Sequence, residues 1–285
     1  MNFDFFGEHP SVPIGCALLA MLYCGAGWIA RRRPSRGQAA WFALALGVIL
    51  FAHTAIDEFA DDRIFFMHML QHLLQTFVIP PLLLLGTPGW MLRPWVMSRP
   101  VRPFARFFTR PLVAFFLFSA VFVTAHFPAV FDLMCRNEDF HILLHVCFMV
   151  SGVLMWWPLL SPLPEMPRLS YPAQVMYVFL LLIPMTAVAA PITLASQVIY
   201  PWYLEGPHGW GLKPMDDQIL GGLLMWIGQG TYLMGVFTAI FYKWSRQDDQ
   251  DTPVLSESPS PPLRVVRHGR PASRRLAVPV RCYSG

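Results

Sequence analysis

Apolar residues in this chain run in long, nearly uninterrupted stretches rather than in an alternating or one-sided pattern. Seven are legible, at about 13–30, 39–57, 66–86, 110–127, 140–160, 172–196 and 217–242. A run of about 20 apolar residues is what a helix needs to cross the hydrocarbon core of a bilayer. The second stretch is the weakest, because His53, Asp57 and Glu58 interrupt its end. The pattern predicts an all-α polytopic membrane protein, a seven-transmembrane-helix bundle. Residues 1–12 read as an external leader, 13–245 as the membrane domain, and 246–285 as a disordered, basic, Pro/Ser-rich cytoplasmic tail.

Composition agrees with that reading. The chain is 55% hydrophobic and 13% charged, with mean hydropathy +0.46, where a soluble domain carries roughly a quarter charged residues. The first apolar stretch follows Asp4 and Glu8 and precedes Arg31, Arg32, Arg33 and Arg36. That order suits a retained helix with its N-terminus outside better than a cleaved signal peptide. With the N-terminus outside, 18 of the 21 basic residues fall on the cytoplasmic side, and only Arg63, Arg136 and Lys213 fall outside. Cytoplasmic loops carry such an excess of Lys and Arg. The formal charge of +4 therefore reports orientation, not nucleic-acid binding. Arg93, Arg99, Arg102, Arg106 and Arg110 suit contact with the headgroups of membrane lipids.

Five cysteines, at 16, 24, 135, 147 and 282, form no CxxC or CxxxC. A thiolate copper shuttle or a thioredoxin-like motif is unsupported. Cys135 alone, in the external MCRN segment, stands where it can meet a soft metal. Pro80-Pro81, Pro184 and Pro191 interrupt predicted helices, which membranes tolerate when neighbours satisfy the freed carbonyls. Gly221, Gly222, Gly228, Gly230 and Gly235 suit close helix packing rather than ligand binding.

Histidine carries the candidate chemistry. His68/His72 in HMLQH and His141/His145 in HILLH are HxxxH pairs at helix entrances. Residues four apart on a helix differ by only about 40° and about 6 Å, so each pair projects from one face. The helices alternate in direction, yet His53, His68, His72, His126, His141 and His145 all fall at their outer ends. His9 and His208 are also external, but lie in the leader and a loop, and His268 belongs to the tail. Ionisable groups in spanning helices are costly and usually face an interior or an aqueous cavity, and neutral imidazole is the commonest protein ligand of transition metals. The alternative is that interfacial histidines only hydrogen-bond headgroups and loop carbonyls.

Imidazole with thioether suits Cu(I), imidazole alone Cu(II) or zinc, and an added carboxylate zinc or iron. Met67 and Met69 flank His68, but adjacent positions do not share one helical face. Asp57 and Asp132 are candidate carboxylates, and Asp216, Asp217 and Gln218 stand at the entrance to the seventh helix. There they either complete a polar cavity or serve as solvated helix-start residues. Copper stands modestly ahead of zinc.

Beyond the histidines, the chain resembles the membrane-integral CtaG-type cytochrome c oxidase assembly proteins. The stretches that carry the resemblance are HMLQHLLQTFVIPPLLLLGTP, FDLMCRNEDFHILLHVCFMVSGVLMWWPLL, LSYPAQVMYVFLLLIPMT and DQILGGLLMWIGQG, over most of residues 50–235. The resemblance implies a multi-pass protein of the bacterial inner membrane that aids assembly of haem–copper oxidase through copper delivery, with oxidase subunits as partners. It points at His68, His72, His141 and His145, with His53 and His126 as neighbours. Two other functions compete. A seven-helix zinc-dependent membrane hydrolase would use His and Asp to hold zinc and activate water. A bis-histidine haem protein needs one histidine from each of two facing helices, which makes i,i+4 pairs surplus.

Overall fold

The computed structural model describes residues 11–57, 63–205 and 209–251. His9, Glu58, His208, His268, Cys282 and nearly all of the leader and of the tail beyond Asp251 lie outside the described residues. The chain divides into a unit Met1–Arg246 and a second unit, Gln247–Gly285.

The described secondary structure is helical throughout. In chain order the helices are α1 (Ser11–Ile29), α2 (Arg36–Asp57), α3 (Phe65–Gly86), α4 (Gly89–Val96), α5 (Arg102–Phe108), α6 (Pro111–Ala125), α7 (Pro128–Arg136), α8 (Glu138–Leu160), α9 (Tyr171–Leu194) and α10 (Pro214–Gln247). Six of these, α1, α2, α3, α8, α9 and α10, are long and apolar enough to cross a membrane, and α5 with α6 makes a seventh if the bent pair is one span. The predicted stretches and the observed helices coincide to within about five residues at either end, the fourth included, but the fourth is too short to span alone. There α6 has only 15 residues, about 22 Å at 1.5 Å per residue, and meets α5 at 74°. Pro111 explains the break. A residue before proline is driven out of the α region, and Arg110 is extended at φ −63°, ψ 134°.

Burial is inverted relative to a soluble protein. Large apolar side chains cover the outside, with Trp28 84% exposed, while Gln71, Gln75, Gln174, Asp217, Gln218 and Gln229 are buried. Lipid tails solvate the former, and only partners inside the bundle satisfy the latter. The fold is thus that of a multi-pass membrane protein.

α3 is the most enclosed span and carries the bundle's interior polar stripe. Its Gly86 lies so close to the Phe42 backbone of α2 that a Cβ there would stand 2.5 Å from the Phe42 nitrogen. Gly221 and Gly222 of α10 perform the same service against the Phe65 ring and the Thr193 backbone, whereas Gly230 and Gly235 have open space beside them. Close packing thus accounts for the first two of the five glycines.

The proline pair in α3 is accommodated without breaking the helix. A π-helical turn spans Leu74–Val78 just before it. Pro80 and Pro81 lack the N–H groups that would meet the carbonyls of Thr76 and Phe77 four residues back. Other helices supply the donors: Trp156 Nε1 of α8 donates to the Thr76 carbonyl at 2.8 Å, and Tyr232 Oη of α10 to that of Phe77 at 2.6 Å. A second π-helical turn, Leu224–Gly228, interrupts α10.

Candidate metal centre

Four helix ends build the cluster. α2 contributes His53, the start of α3 His68 and His72, the residue closing α6 His126, and the first turns of α8 His141 and His145. Each entrance is fixed by a cap. Asp217 of α10 accepts the Phe65 and Phe66 N–H groups at 2.6 and 3.0 Å, which sets where α3 begins. Asn137 accepts the Phe140 N–H at 2.9 Å, the usual way a side chain satisfies an orphan donor of the first turn, and so sets where α8 begins.

At the centre, four Nε2 atoms form a chain. His68 to His72 is 3.0 Å, His72 to His145 is 3.2 Å, and His145 to His141 is 2.9 Å. Ring nitrogens of His68, His141 and His145 all lie within 4.8 Å of one another. Hydrogen bonding alone cannot satisfy the chain. Three such contacts require three hydrogens and three lone pairs, and a ring nitrogen supplies one or the other, so four atoms offer too few. Lone pairs converging on one ion have no such shortage. Metal–nitrogen bonds of about 2.0–2.1 Å place neighbouring ligand nitrogens roughly 3 Å apart, which is the spacing present.

The remaining candidates divide sharply. His53 sits beside the cluster, its ring 5.6 Å from that of His145, and its Nε2 is 3.1 Å from Gln75 Nε2. The His126 ring is 5.8 Å from that of His72, while its Nδ1 lies 2.7 Å from the Phe122 carbonyl. Asp57 accepts from Gln71 Nε2 at 2.7 Å and, with His53, His141 and His145, lines a cavity of about 830 Å³ walled on one side by α1. Met69 is fully buried in the apolar core, on the other side of α3 from Met67, as positions two apart on a helix require. Asp132 is engaged by Arg136 and the Trp202 N–H, Asp216 is exposed, and Asp217 is the α3 cap. Cys135 lines the large cavity, but burial and the neighbouring Asp132 push its thiol up to about 12, so it is protonated at neutral pH.

Three partners were not singled out in the sequence. Gln71 also donates to the Ala52 carbonyl at 3.0 Å, Gln75 meets His53, and Tyr203 Oη lies 3.3 Å from His68 Nδ1. The glutamines had a signal. His68, Gln71, His72 and Gln75 stand at i, i+3, i+4 and i+7 in an otherwise apolar span, a polar stripe of helical period. Tyr203 had none, since it comes from a short 3₁₀ helix, Pro201–Leu204.

That 3₁₀ segment is held down from outside the cluster. The guanidinium groups of Arg63 and Arg136 both pack over the Trp202 ring, at 4.1 and 5.3 Å from its centre. Arg136 pairs with Glu205 at 2.6 Å and Asp132 at 2.7 Å, and Arg63 donates to the Glu205 carbonyl. The paired hydrogen bonds from Arg136 hold the Glu205 carboxyl below its ordinary range.

A multi-helix membrane bundle with histidines converging from four helices, those of α3 and α6 buried and those of α2 and α8 half-buried, defines the class. Residues 21–247 match the family described as cytochrome c oxidase caa3 assembly factor (Caa3_CtaG), and the chain belongs to that family. It is 28% identical over 259 residues to uncharacterized proteins of Mycobacterium bovis and of Mycobacterium tuberculosis, covering 82% of this chain and 39% of each of theirs. An uncharacterized protein of Mycobacterium leprae is 24% identical over 250 residues, covering 78% of this chain and 37% of its own. The chain thus spans well under half the length of these relatives. No solved structure matches.

Proposed function

We propose that this chain spans a bacterial inner membrane seven times, with its N-terminus outside, and handles copper for the assembly of haem–copper cytochrome c oxidase. His68, His72, His141 and His145 hold the ion on the periplasmic side, with His53 and His126 beside them. The observation that carries the reading is the chain of four Nε2 atoms, too close and too few in hydrogens to be a hydrogen-bonded array. Membership of an assembly-factor family supplies the oxidase partner, and the basic asymmetry supplies the orientation. Here the copper is cargo, and no bond in a substrate need be cleaved. The test is metal analysis of the purified protein, together with the copper content of the oxidase in a strain lacking it. Absence of bound copper and a fully metallated oxidase under copper limitation would sink the reading.

The zinc hydrolase remains the second reading, on one specific observation. The large cavity is lined by Asp57 together with His53, His141 and His145, so a general base has access to an open metal position. Stoichiometric zinc and turnover of a lipid amide would favour it over copper handling.

A further inference from the structure

We propose that one buried water sits behind His72, bridging His72 Nδ1, His126 Nε2 and Gln229 Oε1, and that His126 and Gln229 are positioning residues for the cluster. The inference deepens the metal reading and rests on it, because it takes the His72 Nε2 lone pair as directed into the cluster.

All three atoms are buried and lack a hydrogen-bond partner, in side chains no more than 5% exposed. Such groups cost free energy unless something satisfies them. All three residues line one small cavity, walled by the Phe122 and Phe148 rings and closed by Thr76. It offers about 10 Å³ to the centre of a water-sized molecule, and a single water needs roughly 10–15 Å³ of such space.

The donor and acceptor pattern fits one water. His126 Nδ1 is 2.7 Å from the Phe122 carbonyl, which only accepts, so Nδ1 carries the hydrogen and Nε2 is a bare lone pair. Gln229 Oε1 is a second acceptor. If His72 Nε2 points its lone pair into the cluster, His72 Nδ1 carries a hydrogen and is a donor. A water accepting from His72 and donating to His126 and Gln229 makes three bonds and leaves none of these atoms unmet. Metal-ligating histidines commonly need this support, since a hydrogen bond to the second ring nitrogen fixes the tautomer and the ring's orientation. His126 is then support for the cluster rather than a fifth ligand. Gln229, at the end of the π-helical turn in α10, is placed by that turn.

The test uses the full chain in lipid nanodiscs with isotope-labelled histidine, read by magnetic resonance of the ring nitrogens. Lines are assigned by single His→Gln substitutions, without metal and after loading zinc(II), chosen because it is diamagnetic. Expected are His72 and His126 protonated at Nδ1 only, with magnetisation passing from water to His72 Nδ1–H. Gln229→Leu should weaken that transfer and weaken zinc binding roughly 10- to 100-fold, while Gln229→Glu, which keeps an acceptor, restores both. A His72 protonated at Nε2, or no transfer from water in the unaltered protein, overturns the proposal. Transfer from water without any zinc binding keeps the water and defeats the metal reading alone. Zinc binding over a dry cavity does the reverse.

Discussion

The Asp217 carboxylate accepts two consecutive backbone N–H groups, those of Phe65 and Phe66, from 152 and 151 residues away along the chain. Sequence chemistry offers an acidic residue at a helix entrance as a partner for its own helix dipole or for a metal. Here it caps another helix, the one that carries His68 and His72. A carboxylate accepting from buried N–H groups forms charge-assisted bonds, stronger than neutral ones.

Asp217→Asn should therefore weaken the bundle, and Asp217→Ala more so. Loss of the cap leaves buried donors unmet, at about 1–3 kcal/mol. The start of α3 should fray first, so metal affinity should fall along with thermal stability. Unfolding midpoints in detergent, read beside metal stoichiometry, check this. Full stability in Asp217→Ala would show that the cap is dispensable.

Trp156 and Tyr232 carry the second expectation, because they satisfy carbonyls that the proline pair leaves without partners. Tyr232→Phe keeps the ring and removes the donor, whereas Trp156→Phe removes the donor together with part of the indole. Each should cost about 1–3 kcal/mol. The two rings are 6.1 Å apart, so the double variant should depart from additivity. Restoring backbone donors with Pro80→Ala and Pro81→Ala should reduce the cost of losing either side chain. Equal losses in the proline and alanine backgrounds would refute the assignment.

The architecture was largely legible because runs of apolar residues and the i,i+4 histidine pairs are local patterns. Helix alternation also places His53, His68, His72, His126, His141 and His145 at one end of the spans, and the structure brings them within touching rings. The short fourth span was less legible. Its bend arises from Pro111 acting on Arg110, which an apolar count passes over. Least legible were Asp217 and Tyr203, whose partners lie 152 and 135 residues away, since no local period encodes which distant backbone a side chain will meet. Met69 shows the opposite limit, for adjacency to His68 suggested chemistry where helical geometry turns the side chain into the core.

Acid should release the outer clasp around Trp202. The Glu205 carboxyl is held below its ordinary value of 4.5 by hydrogen bonds from Arg136, and Arg136 is raised from an already high value, so it stays protonated. A depressed carboxyl contributes stability that is fully present above its ordinary value and lost as pH falls through the lowered one. The difference in fluorescence between the unaltered protein and Trp202→Phe should therefore hold steady from neutral pH down to about 4.5 and change only below that. Glu205→Gln should remove the acid step. A step near pH 6 would assign the response to histidine instead.

The histidines should not be equivalent when removed. His68→Gln with His72→Gln takes away two adjacent nitrogens of the Nε2 chain and should abolish metal binding while the protein still inserts. His141→Gln removes a terminal nitrogen, and the ion should remain with weakened affinity. His126→Gln touches no Nε2 of the chain, because its Nδ1 is turned to Phe122 and its other face to the small cavity. Loss of such an outer partner should weaken binding roughly 10- to 100-fold without removing the site. Truncation after Arg246 removes none of these side chains, so affinity should be unchanged. Metal content by mass spectrometry, with competition by a chelator of known affinity, orders the series. If His126→Gln abolished binding as fully as the His68/His72 double variant, His126 would be a ligand and the four-nitrogen chain an incomplete site.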